Sequence, residues 1–315
     1  MRKKVLLIIP ATIAVIAVGL IVVANYLVRN LVDERMDGFV TAGYYQTLEY
    51  DSLSVKWNGN IIMQNMHVVD IEANEYVLEE ILISNFDYFH EVPHRMNLTA
   101  NGLRFPAGIP EFGNSTSNSW NSYLTRVMED DFLPIILDYR SAYNPDDDFK
   151  LDNAFRLELP DSFILTTDSV MTDISLENLN DVAMGPGTSA TQYSMSIQEG
   201  KIVSAALALE DLGLVNALMT VQGEAAGVDA DDYRQQLWAQ IQTMVLFAPQ
   251  QLQSLAQELA ANIGVFLEGD NTLRFSIAPE SSSSILQLQA DVMGSFFIGD
   301  FQTIAETLGL KIESL

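Results

Sequence analysis

The hydrophobic pattern divides the chain into three stretches. From Val5 to Val28 there is no charged residue over 24 positions. As a helix this run reaches about 36 Å, enough to cross a hydrocarbon core of about 30 Å with some tilt. From about residue 44 to 212 apolar residues tend to alternate with polar ones, the period of half-buried strands. From Asp229 onward apolar residues recur every three or four positions, the period of helices. This pattern predicts an α+β protein: an N-terminal transmembrane helix, an extended antiparallel β-sheet body and a helical C-terminal portion.

Within the middle stretch, Leu48–Trp57 and Ile61–Ile71 flank Asn58-Gly59, a pair suited to a type I′ hairpin turn. Tyr76–Phe86 and Met96–Phe105 extend the series into a meander. Residues 106–122 are rich in Pro, Gly, Ser and Asn and read as a long loop. Leu124, Val127, Met128, Phe132, Ile135 and Ile136 have helical spacing, which places a helical insertion near 123–139. Strands resume over 149–159, 163–176 and 192–212. Asp229 is suited to cap a helix whose apolar face holds Tyr233, Leu237, Ile241 and Met244. Leu252, Leu255, Leu259 and Ile263 continue at that spacing. One short strand (272–278) and helices near 285–291 and 300–308 complete the tail. The organisation expected is a basic start and anchor to residue 35, a β-rich domain over 36–228 and a mainly helical region over 229–315.

Charge adds a direction. Arg2, Lys3 and Lys4 precede the apolar run, which keeps the amino terminus cytoplasmic and exports the rest. A cleaved signal peptide is the alternative, with Val15-Ile-Ala17 as its cleavage site. However, the apolar run continues for eleven residues beyond Ala17. Residues 1–35 carry net +3 and the remaining 280 carry net −29. Such a body repels nucleic acid, so no nucleic-acid partner is expected. The absence of cysteine excludes disulfides, thiolate metal sites and cysteine nucleophiles.

The anchor, the stretch LEYDSLSVKWNG at 48–59, IIMQNMHVVD at 61–70 and ILISNF at 81–86 together resemble the opening of AsmA-like proteins of Gram-negative envelopes. The resemblance covers residues 1–105. It implies a curved, groove-forming sheet beside the inner membrane, and a role in phospholipid handling or envelope maintenance. It supplies no catalytic residue.

Candidate chemistry is sparse. His90-x-x-x-His94 has two-ligand spacing, but Pro93 lies between them and a third ligand is missing, so a solvated loop and no metal is expected. Asp146, Asp147, Asp148 and Asp152 suggest calcium, but Lys150 and Leu151 occupy ligand and glycine positions of an EF-hand loop. Gly185-Pro-Gly187 reads as a turn, and Gly-x-Ser-x-Gly and phosphate-loop motifs are absent. Asn97-Leu-Thr99 and Asn114-Ser-Thr116 match the glycosylation pattern, which matters only in a eukaryotic secretory pathway.

The reading is a non-enzymatic, single-pass inner-membrane protein without cofactors, its body in the periplasm. Its partners are the bilayer through the N-terminal helix and phospholipid in a groove lined by Val55, Ile62, Val68, Ile81 and Ile83. The alternative is an accessory subunit of an envelope complex, docking through helices 229–267. An exported hydrolase is the third reading and has no motif behind it.

Overall fold

The computed structural model describes residues 25–34, 36–90, 93–106, 123, 131–175, 199–280, 284–298 and 300–315. The apolar run to residue 24, the 107–122 loop, positions 124–130, the 185–187 turn and the strand start at 192 lie outside them. Among the described residues no helix is long and apolar enough to cross a membrane.

Ten strands form one antiparallel sheet in sequence order. They are β1 (Tyr45–Val55), β2 (Ile61–Asp70), β3 (Glu75–Ser84), β4 (Arg95–Arg104), β5 (Phe132–Asn144), β6 (Lys150–Leu159), β7 (Phe163–Thr172), β8 (Lys201–Asp211), β9 (Thr272–Ile277) and β10 (Lys311–Ser314). Helices α1 (Leu214–Ala226), α2 (Ala230–Leu246) and α3 (Gln253–Phe266) intervene between β8 and β9. Helices α4 (Ile285–Ile298) and α5 (Phe301–Leu308) intervene between β9 and β10. The protein is therefore α+β, with a large antiparallel sheet and helices toward the C-terminus. Residues 25–34 and 36–41 are also helical.

Several local expectations need correction. Residues 132–139 are strand rather than helix. The contiguous run Phe132-Leu-Pro-Ile-Ile-Leu137 fits a buried strand as well as a helix, and periodicity does not separate the two. Pro134 sits where the β4–β5 register shifts, a bulge that tolerates a residue without an N–H. The C-terminal region holds two strands, β9 and β10, and β9 pairs with β8, so the sheet runs unbroken past residue 228. In the first hairpin, Gly59 alone of the Asn58-Gly59 pair has positive φ, at 83°. The Gly59 N–H donates to the Lys56 carbonyl and the Lys56 N–H to the Asn60 carbonyl. That is a five-residue connection rather than a two-residue type I′ turn.

Helix α1 has no counterpart in the sequence reading. Gly213, at φ 135°, precedes it and offers no side chain. The cap comes from Asp211, a buried carboxylate at the end of β8. Its Oδ1 accepts the Val215 N–H at 2.9 Å, and its Oδ2 accepts the Asp270 N–H at 2.9 Å. One carboxylate thus ties β8, α1 and the approach to β9 together. Helix α2 begins as expected, with the Asp229 carboxylate accepting the Asp232 N–H at 2.8 Å.

Candidate functional site: the inner face of the sheet

Strand register sorts side chains onto two faces, because paired residues share a face and successive residues alternate. One row in register across all ten strands is Val55, Ile61, Ile83, Leu98, Tyr139, Phe155, Thr167, Leu207, Phe275 and Ile312. A second row on the same face is Leu53, Met63, Ile81, Ala100, Leu137, Leu157, Leu165, Leu209, Leu273 and Ser314. Both are apolar throughout, apart from Thr167 and Ser314. The row between them faces the other way: Ser54, Ile62, Leu82, Thr99, Asp138, Arg156, Thr166, Ala208, Arg274 and Glu313. From β4 onward this outer row is polar except at Ala208. It is laced by a Thr99–Asp138 hydrogen bond of 2.7 Å, and Arg156 pairs with Glu158 at 2.5 Å.

Helices cover this inner face toward both sheet edges. At β1–β4, Val32 of the N-terminal helix packs on the cluster of Met63, Ile81 and Ala100. The Tyr50 hydroxyl donates to Asp33, and the Arg29 guanidinium lies 5.8 Å from the Tyr50 ring centroid. At β8–β9, Val215 and Met219 of α1 and Phe266 of α3 pack on Leu209 and Leu273. A further buried cluster of Phe105, Tyr123, Leu133, Leu159 and Leu214 joins β4–β8 to α1, whereas Leu207, in the first row on β8, is 43% exposed.

A crease crosses β1–β4 where Asp51, Asn65, Glu79 and Gly102 are aligned by register. Asn65 and Gly102 take positive φ, 50° and 66°. On either side of that line the inward positions change parity. Met63 and Ile81 on one side, Met66 and Leu78 on the other, belong to one apolar cluster. A Cβ at Gly102 would lie 2.8 Å from both the Glu79 carboxylate and the Phe132 ring. Arg104 spans the crease on the polar face, bonding Glu79 at 2.7 Å and Asp131 at 2.9 Å.

The five expected groove residues separate accordingly. Val55, Ile81 and Ile83 lie on the inner face. Val68, two residues beyond Met66 and paired with Tyr76, reaches it through the crease. Ile62 pairs with Ser54 and Leu82 on the outer face. Val55 and Ile81 are buried, at 8% and 5% exposure, and serve as packed core. The exposed member of the first row is Leu207 on β8, while Tyr139 and Phe155 of the same row are half-buried. Sequence reasoning missed these three. The alternation of YRSAY, AFRLE and ALALE marks them, but only register reveals that they align with β1–β4.

The histidine loop is ordered by a different device. The Asp87 carboxylate accepts N–H groups of Phe89 at 3.0 Å and His94 at 3.1 Å, and lies 2.6 Å from His90 Nδ1. These donors, Phe89 first and the His90 ring next, hold the Asp87 pKa down at about 2. Among the described residues, Asp87, His90 and His94 are the one trio close enough to share a cation. However, the two rings stack face to face at 3.8 Å and 12°. Asp87 is the third group that the sequence did not show beside His90 and His94, and its carboxylate is already engaged by Phe89, His90 and His94. The trio is a loop staple. At the acidic turn, Asp148 and Phe149 have positive φ, and Lys150 pairs with Asp152 at 3.3 Å. An ammonium there supplies the charge a cation would.

A family model described as "Uncharacterized protein" matches residues 148–314. The chain belongs to that family. The matched region, just over half the chain, holds β6–β10 and helices α1–α5, while both inner rows continue from it into β1–β5. A comparison with curated proteins found no match.

Proposed function

We propose that this is a membrane-anchored, non-enzymatic envelope protein whose sheet shelters lipid acyl chains on its inner face. The observation that carries the reading is the pair of apolar rows running through all ten strands, beside an outer row that is polar from β4. An apolar band with an exposed position at Leu207 on β8 offers an acyl chain a dry path. The uncharged stretch Val5–Ala24 supplies the anchor, and its basic start orients the body into the periplasm. The resemblance of residues 1–105 to AsmA-like proteins supports the same role. The test uses neighbouring positions on opposite faces of β8. A photo-crosslinking amino acid is placed at Leu207 or at Ala208 in the full chain, in cells. Lipid adducts at 207 and not at 208 are expected. Equal labelling, or none at 207, defeats the proposal.

A second reading, an accessory subunit docking through its helices, is favoured by a different observation. Residues 235–257 carry no charge. At the end of α2, Met244, Leu246 and Phe247 are 66%, 75% and 84% exposed. Crosslinks from Phe247 to one protein, together with no lipid at Leu207, would favour it.

A further inference from the structure

One end of the sheet bears aromatic side chains with almost no cover. Trp57, in the β1–β2 turn, is 87% exposed, and Phe89, in the β3–β4 loop, is 95% exposed. Exposed aromatics on mobile loops are unremarkable, but these two are held. Asp87 fixes the backbone N–H of Phe89 itself. The Tyr88 hydroxyl donates to the Gly59 carbonyl, locking one loop to the other. These bonds tie together the two connections that carry Trp57 and Phe89, and antiparallel pairing of β2 with β3 puts both at the same end.

That end is also where the apolar run of the sequence meets the sheet. The Asn25 side chain accepts the Val55 N–H at 2.6 Å and donates to the Val55 carbonyl at 3.2 Å. Asn25 is the residue after twenty uncharged positions, Val5–Ala24, the length a membrane-spanning helix needs. The turn Lys56-Trp-Asn-Gly-Asn60 carries one cation and no carboxylate, in a chain with 42 acidic and 16 basic residues. An amphipathic indole with a neighbouring lysine is the composition of membrane–water interfaces.

We propose that Trp57 and Phe89 insert into the outer-leaflet interface of the bilayer that holds this chain's own N-terminal run. The occupant is phospholipid at headgroup depth, and the inference rests on the anchor reading. The insertion fixes the body's tilt and turns the end of the sheet nearest Val55, Ile61 and Ile83 toward the lipid.

The chain has no cysteine, so single labels are clean. Trp57→Cys, Phe89→Cys and Ile71→Cys are each spin-labelled in the full chain, reconstituted in vesicles of phosphatidylethanolamine and phosphatidylglycerol at three to one. Ile71, 66% exposed, lies at the far end of β2 as the aqueous reference. Because all three sites are exposed, the fold tolerates the labels. At 57 and 89 the collision ratio of oxygen to a water-soluble nickel chelate is expected to rise several-fold over that at 71. Equal ratios at all three sites, in a chain that resists carbonate extraction, overturn the insertion and leave the anchor standing. Release of the chain by carbonate overturns the anchor, and the insertion with it.

Discussion

The inner and outer rows of the sheet are built on the same backbone, one residue apart, yet they differ in kind. Ile83, Leu98, Tyr139 and Phe155 follow one another across four strands on the inner face, while Leu82, Thr99, Asp138 and Arg156 do so on the outer. A sheet with one wetted face needs only one apolar side. Helices pack on the apolar side at β1–β4 and at β8–β9, yet Leu207 on β8 stays 43% exposed. The difference between rows teaches that burial along one face is uneven. Leu133 of β5 and Leu159 of β6 are as buried as Ile81 of β3, whereas Leu207 of β8 is exposed.

The largest effect expected is from Ile81→Asp. Ile81 is 5% exposed in an all-apolar cluster, so the carboxylate has no partner. The cost is about 4 kcal/mol or more, a large part of a typical domain's stability. Loss of the cooperative urea transition is the expected result. A folded variant would mean that this part of the face is open too.

Gly102→Ala comes next. It strains a residue at φ 66° and drives a methyl against Glu79 and Phe132 at the crease. A loss of about 1–3 kcal/mol is expected, measured by the urea midpoint. An unchanged midpoint would show that the parity change on β4 needs no glycine.

Acid provides a subtler separation, because the two inner rows hold no carboxylate. The Asp87 loop titrates instead. Its folded-state pKa, about 2, lies below the unfolded value near 3.9, so its stabilisation is present above about pH 4. It is lost as pH falls from about 4 toward 2. Asp87→Asn is expected to flatten the fall in urea midpoint over that window. An unchanged slope would assign the acid sensitivity elsewhere.

The smallest effect is expected from Ile62→Thr, on the outer face opposite Ser54 and Leu82. Threonine keeps the β-branch, so the loss should stay below about 1 kcal/mol by urea titration. A cost comparable to that of Ile81→Asp would erase the distinction between the faces.

The strands legible in the sequence were those whose alternation is clean: β1–β4, β6 and β7 match the expected segments within a few residues. Helix α2 was legible from its cap at Asp229, and α3 from the spacing of Leu252, Leu255, Leu259 and Ile263. The misreadings have local causes. Phe132–Leu137 is apolar without period, and its bulge at Pro134 exists only because β4 lies beside it. Helix α1 is capped by Asp211, a carboxylate that belongs to the preceding strand, so no start signal sits at its first turn. At the candidate site, Val55, Ile81 and Ile83 share one face of the sheet. Ile62 lies on the other face, and an apolar residue there looks, in sequence, like any other.

By itself the sequence determined the uncharged N-terminal run, the polarised charge, the absence of cysteine and the alternation that makes most of these strands. All are properties of neighbours along the chain. Tertiary structure alone decided that ten strands share one sheet, that its inner face changes parity at a crease, and that Leu207 stands open while Ile81 is buried. Register, the positive φ of Asn65 and Gly102, and helix cover depend on pairings between residues distant in sequence. The same distance explains the aromatic end: Trp57 and Phe89 are 32 positions apart, and only the pairing of β2 with β3 brings their turns together.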